Sequence, residues 1–226
     1  MRIENIQKSF QRKQVLKNIT LEAQKGSCVG ILGSNGSGKS TLLSILAGVL
    51  KADDGSFEAD GKDLLKDNKL RTQMVGFVPQ GNPLYEELTA RDNLLLWYSK
   101  DALKQELKTG VLAMLGIPEF IKMPVSKMSG GMKKRLAIGC CVAHSPEILL
   151  LDEPTAALDL VCKERIYNYI NDFKKQGKIV LLTTHDEREL ELCDRLYLLK
   201  NGSIAPYEYD GNIHHLVGAL GKKDDV

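Results

Sequence analysis

Absences bound this 226-residue chain before any motif does. No stretch approaches the ~18 continuous apolar residues of a membrane-spanning helix. The opening Met1-Arg2-Ile3-Glu4-Asn5 lacks the apolar core of a secretory leader. A soluble, intracellular chain is the expectation. Cysteine is sparse: Cys28, Cys140, Cys141, Cys162 and Cys193 are odd in number and carry no CxxC spacing. They argue against a disulfide scaffold or a zinc site and for free buried thiols in a reducing compartment. An excess of charge is missing too, since 31 basic residues face 29 acidic ones for a net +2. Composition therefore shows no basic nucleic-acid footprint. Repeats and low-complexity linkers are absent from the chain, and its length suits one domain with a sub-lobe.

What is present starts at Gly33-Ser34-Asn35-Gly36-Ser37-Gly38-Lys39-Ser40-Thr41. An apolar run, Cys28 to Leu32, precedes it, and Leu42, Leu43, Ile45, Leu46 and Leu50 follow at helical spacing. Strand, glycine-rich loop and helix in that order are the context a phosphate-binding loop requires. The glycines let successive N–H groups turn inward as an anion nest, backed by the positive end of the helix. Lys39 would reach the β- and γ-phosphates of a nucleotide, and Ser40 would offer its hydroxyl to Mg²⁺, a hard cation that prefers oxygen.

Residues 1–32 alternate apolar and polar, as at Ile3 and Ile6 and again at Ile19, Leu21 and Ala23, predicting antiparallel strands ahead of the loop. Phe10 within them is either a core ring or a face for stacking a purine. Asp53-Asp54-Gly55 and Asp60-Gly61 mark turns around a short strand at 56–59, and 75–78 is a further strand that ends at Pro79 and Gln80. From Thr89, a candidate N-cap, to Leu115 the periodicity is helical, and Pro118 and Pro124 bound a loop. Ser129-Gly130-Gly131 opens another helix through Leu136, Ile138 and Val142, and Lys133-Lys134-Arg135 upon it read as a solvated face. A buried strand at 148–151 then delivers Asp152 and Glu153 at its end. After a helical pattern from Cys162 to Phe173, a second buried strand at 179–182 delivers Thr183, Thr184 and His185. Residues 196–204 resemble a hairpin with an Asn201-Gly202 turn, and 222–226 form a solvated tail. Gln80, Asp152-Glu153 and His185 thus all follow apolar strands.

With these motifs in this order, to about Gly202, the chain resembles the nucleotide-binding subunits of ATP-binding cassette transporters. The resemblance implies an α/β P-loop NTPase with a mainly parallel core sheet, an antiparallel β subdomain and an inserted helical subdomain. Residues 1–80 and 146–226 would supply core and β subdomain, and 81–145 the helical part with the signature motif. It further implies ATP and Mg²⁺ as ligands, Phe10 stacking on adenine, Gln80 contacting metal or attacking water, Asp152 holding Mg²⁺ through water and Glu153 acting as general base. His185 would be the switch at the γ-phosphate, Asp159 the acidic residue of a dimer-facing loop, and Ser129-Gly130-Gly131 the signature that closes on a partner's ATP. Two features depart from the family. Met128 and Met132 flank the signature where Leu and Gln are usual, which removes a side-chain hydrogen bond at the last position, and Phe10 replaces the commoner Tyr.

The implied partners are a second ATPase subunit, identical or not, arranged head to tail, and a separate permease that docks around 81–93. No nucleic acid is expected. The chain would then lie at the cytoplasmic face of a membrane, and its basic run and short length look similar to the ATPases of exporters. Two other functions compete: a soluble cassette ATPase acting on ribosomes or DNA, and a regulatory module that binds nucleotide without turning it over. The former usually carries two cassettes or a long coiled coil; retention of Glu153 and His185 opposes the latter.

Overall fold

The computed structural model describes residues 1–11 and 13–221, so the tail at 222–226 lies outside the described residues. The alternating segments at the start pair as β1 (Arg2–Phe10) and β2 (Lys13–Glu22), antiparallel, with Ile3 opposite Leu21 and Ile6 opposite Ile19. They precede β3 (Cys28–Leu32) and are extended by β4 (Asp54–Ala59) and the short β5 (Lys62–Asp63), in the order β2-β1-β4-β5. A second sheet joins β3 to β6 (Val75–Val78), β7 (Ile148–Asp152), β8 (Ile179–Thr183), β9 (Arg195–Lys200) and β10 (Ser203–Tyr207). Its order is β10-β9-β3-β8-β7-β6, parallel throughout except for the β9–β10 hairpin.

The two faces of this sheet explain why its central strands are unbroken apolar runs. Leu149 and Leu151 of β7 and Val180 and Leu182 of β8 enter one core with Leu94, Leu112, Leu136, Ile138 and Ile166. Ile148, Leu150, Ile179 and Leu181 enter the other, beneath Ile3, Ile19, Leu42 and Phe57. A strand buried on both faces has no polar side to alternate with. At about 1.5–3 kcal/mol for each fully buried Leu or Ile, these strands anchor the loops that follow them.

Helices α1 (Lys39–Ala47) and α2 (Asn68–Met74) precede β6. The single helical run expected at 89–115 is instead three helices, α3 (Ala90–Leu95), α4 (Lys100–Thr109) and α5 (Val111–Met114). Thr89 does cap the first, in a reciprocal box with Asp92, but Ser99 caps α4 anew and Gly110 separates α4 from α5. Trp97 falls in the break and is 63% exposed. At the two ends of the loop expected between Pro118 and Pro124, 3₁₀ turns form at Ile117–Phe120 and, just beyond it, at Val125–Lys127.

Helix α6 (Gly130–Cys141) corrects the reading of its basic run. Lys134 and Arg135 are buried, at 4% and 5% exposure. Their charges are met by backbone carbonyls: Lys134 Nζ donates to Pro79 O and Gln80 O, both at 3.0 Å, and Arg135 Nη1 donates to Leu115 O at 2.8 Å. Arg135 also lies 5.0 Å from the Phe120 ring centroid. Only Lys133 keeps a partly solvated position, paired with Glu86 at 2.7 Å. The remaining helices are α7 (Leu160–Lys175), α8 (Glu187–Leu192) and α9 (Ile213–Gly221). Among the described residues no helix is long and apolar enough to cross a membrane. The cysteines are free, with Cys28, Cys140 and Cys162 buried and Cys141 and Cys193 half-buried.

Candidate active site

Parallel pairing sets the site. Ile31 of β3 lies beside Thr183, Asp152 beside Thr183 from the other side, and Val78 beside Leu151. The segments that leave β3, β6, β7 and β8 therefore emerge along one edge of the sheet, where α/β folds place their ligands. The β3 segment turns through Gly38, whose φ of +111° only glycine adopts without strain. A Cβ on Gly33 would lie 2.5 Å from both Leu199 O and Ser37 Oγ, so that position is closed to any side chain. Gly38 gives α1 no side-chain cap, and its first N–H groups remain available to an anion.

Lys39 is 6% exposed and curls back over this loop, its Nζ donating to Gly33 O at 2.6 Å and Ser34 O at 3.3 Å. Burial lowers its pKa, opposed by the carboxylates of Glu153 and Asp152. The same Nζ sits 3.3 Å from His185 Nε2. Burial and then the Lys39 charge lower the His185 pKa, with Glu153 opposing, so the imidazole is neutral near pH 7 and accepts from the ammonium. His185 Nε2 also lies 3.8 Å from Glu153 Oε1, and Gln80 Nε2 donates to Glu153 Oε2 at 3.0 Å. Lys39, His185, Glu153 and Gln80 thus form one continuous series of contacts.

Two further residues hold that series in place, and the sequence reading passed over them as functional. Thr183 Oγ1 donates to Asp152 Oδ1 at 2.6 Å and accepts from Glu153 N at 3.0 Å. The Glu153 backbone is held at φ +47°, a conformation uncommon outside glycine and concentrated at functional sites. Lys134, across α6, grips the Pro79 and Gln80 carbonyls. A hydroxyl at the end of an all-apolar strand was the available signal for Thr183; Lys134 offered none, because charge alone read as exposure.

Not every expected residue joins this cluster. Phe10 stands at the end of β1, 43% exposed, which removes the core reading, and the Lys8 ammonium lies over its ring, 5.5 Å from the centroid. Ser129 caps α6 by accepting from Met132 N at 3.3 Å. Asp159 caps α7, accepting from Cys162 N at 2.9 Å, and backbone N–H groups lower its pKa. Among the described residues no hydrogen bond or ion pair links Ser129, Gly130 or Gly131 to residues 33–41.

A phosphate loop on a parallel sheet, with an acidic strand end and a histidine strand end beside it, defines a P-loop nucleotide hydrolase. A family model described as ABC transporter matches residues 16–156. The chain is 34% identical over 209 residues to the linearmycin resistance ATP-binding protein LnrL of Bacillus subtilis (strain 168), covering 90% of this chain and 67% of that one. It is 36% identical over 208 residues to a probable sulfate/thiosulfate import ATP-binding protein, CysA, of Chlorella vulgaris, covering 89% and 88%. A dimeric solved structure of the ATP-binding cassette MJ0796, in a post-hydrolysis state with ADP and Pi, superposes with a TM-score of 0.82 at 29% identity, over 92% of this chain and 97% of that one. The chain belongs to the ABC transporter ATPase family, and its chemistry is the binding and hydrolysis of ATP.

Proposed function

We propose that this chain energises a separate membrane permease by hydrolysing ATP between two cassette subunits arranged head to tail. The observation that carries the reading is the unbroken contact series from Lys39 through His185 and Glu153 to Gln80. Phosphoryl transfer asks a protein mainly to position groups and neutralise charge. The loop suits a polyphosphate: Ser37 Oγ is enclosed and without a hydrogen-bond partner among the described residues, and Lys39 Nζ is held by two carbonyls from which a phosphate oxygen can take it over. Phe10 would stack on adenine, and Ser34, Asn35, Gly36, Gly38 and Thr41 complete the phosphate wall.

Glu153 accepts the proton of the attacking water as general base. Gln80, bound to one carboxylate oxygen, holds that carboxylate in orientation, and His185 stands beside the other. The neutral imidazole also keeps the Lys39 ammonium over the loop. The donors around the phosphate side fit Mg²⁺: the Ser40 hydroxyl, Asp152 through water, and the amide oxygen of Gln80, whose nitrogen is already engaged by Glu153. Bound there, Mg²⁺ would offset the charge on the β- and γ-phosphates.

The second subunit, identical or not, would supply Ser129-Gly130-Gly131, as the dimeric state of the MJ0796 cassette supports. Asp159 would lie on that interface, and 81–93 would meet the permease, with 81–145 as the helical subdomain and the remainder as core and β subdomain. A permease partner would put the chain at the cytoplasmic side of a membrane. Export is the direction we propose, on the resistance role in LnrL's name; the import role in CysA's name is the opposite outcome, and uptake or efflux by the reconstituted pair decides. Glu153→Gln tests the hydrolytic core. Loss of a general base slows turnover by roughly 10²–10⁴-fold, equivalent to about 3–5 kcal/mol of barrier. Full turnover by that variant in a phosphate-release assay would remove Glu153 from the role.

A further inference from the structure

Glu189 on α8 is a buried carboxyl outside the contact series above. It is 1% exposed, and its neighbours Thr155 and Thr184 are 0% and 1% exposed. Thr155 Oγ1 donates to Glu189 Oε1 at 2.6 Å. The Thr184 hydroxyl lies against the same carboxyl and favours its charged form, while its oxygen accepts from Asp186 N at 2.9 Å. Thr155 belongs to the segment that leaves β7 through Glu153, and Thr184 directly precedes His185. A single carboxyl therefore joins the two segments that carry the base and the histidine. They face each other across a cavity of about 230 Å³ lined by Glu153, Thr155, Thr184, His185 and Glu189, among others.

We propose that Glu189 is a positioning residue for hydrolysis, tying Thr155 to Thr184 so that Glu153 and His185 keep their separation. The inference rests on the reading of those two residues as the hydrolytic pair. An apolar side chain would fill the site at less desolvation cost, because a buried carboxyl must be compensated by hydrogen bonds to be tolerated. Here the compensation comes from the two hydroxyls that precede and follow the reacting groups, and from little else: Lys163, the nearest cation on α7, is already paired with Asp186 at 2.5 Å. Glu153 stands at positive φ and needs such external fixing, since its own backbone preference does not hold it there. The phosphate loop is reached through β3 and α1 and does not depend on the tie. Loss of the tie therefore disturbs the base and its partner while nucleotide binding persists.

Purified full-length variants test this through steady-state ATP hydrolysis. Glu189→Ala and Thr155→Val each lower kcat by roughly ten- to hundredfold, the scale of a displaced catalytic group, with KM for ATP shifted by less than about twofold. Thr155→Ser restores the donor and with it most of kcat, and Glu189→Gln, which keeps one acceptor oxygen, recovers at least about threefold over Ala. The Glu189→Ala, Thr155→Val double variant is no slower than the slower single variant, as expected of two halves of one contact. Unchanged kcat in folded Glu189→Ala, a parallel rise in KM, or additive losses would overturn the proposal. If Glu153→Gln retains full turnover, the hydrolytic reading beneath it falls instead; if Glu153→Gln is slow and Glu189→Ala is not, the tie alone falls.

Discussion

Lys39 illustrates how a charged side chain becomes usable. It is nearly buried, its proton affinity is reduced by that burial, and its partners are two carbonyls and a neutral imidazole rather than a carboxylate. An anion entering the loop meets a cation not neutralised by a direct ion pair. Lys39→Ala should therefore lower ATP affinity by at least about tenfold, the equivalent of one charge-assisted hydrogen bond; equal affinity in titration calorimetry would contradict the phosphate-loop reading. Glu189 makes a different prediction. Burial raises its pKa from 4.5 to about 7, against hydrogen bonds from Thr155 and Thr184, with Asp186 raising it further and Lys163 lowering it. Lys134 on α6 and Tyr167 on α7 also face it. Between these two values the folded chain keeps a proton that the unfolded chain has lost, so this group's contribution to stability falls as pH rises through the window and levels off above it. The shift is worth about 3 kcal/mol at most. Glu189→Gln cannot titrate, so its stability relative to the parent chain should improve by up to that amount between about pH 5 and about pH 8. Urea unfolding at the two pH values measures it, and a pH-independent difference would remove the burial argument.

At the scale of elements, legibility followed burial on two faces. β7 and β8 were plain in the sequence because each is an apolar run closed by a residue that cannot stay buried unpaired, and β3 because its apolar run opens straight into the glycine-rich loop; Glu153 and His185 were found with β7 and β8. Helix α6 was half legible. Ser129 announced its start, but its lysine and arginine read as solvent-facing, because side-chain charge says nothing about carbonyls from another segment. Helices α3, α4 and α5 merged into one because their apolar positions stay in phase across Ser99 and Gly110. Helix α2 escaped notice for the opposite reason: none of its residues is buried, so Asp67 at its N-cap was the only signal. Lys134→Met tests the revised view of α6. It keeps the stem and abandons the Pro79 and Gln80 carbonyls, at an expected cost of about 1–3 kcal/mol. A fall in thermal midpoint is the readout, and an unchanged midpoint would show that those contacts contribute nothing.

At the scale of the molecule, parallel register is what turns separate motifs into one site. It brings four strand exits to a single edge and leaves Ser129-Gly130-Gly131, at the start of α6, outside the contact series. The chain brings the loop at 33–41, Glu153 and His185 together, while Ser129-Gly130-Gly131 make no hydrogen bond or ion pair to that loop among the described residues. The family membership was readable from motif order alone; what the sequence could not show was how Thr183, Lys134 and Glu189 contact the segments that carry Glu153, Gln80 and His185, since each works through residues distant in the chain. The central claim, that a second subunit completes the ATP site, is tested most directly by the mass of Glu153→Gln in solution with and without ATP and Mg²⁺. We predict one chain without nucleotide and two with it, reverting when Ser129 is replaced by a bulky residue. A mass of one chain at saturating ATP, with binding confirmed, would contradict the account.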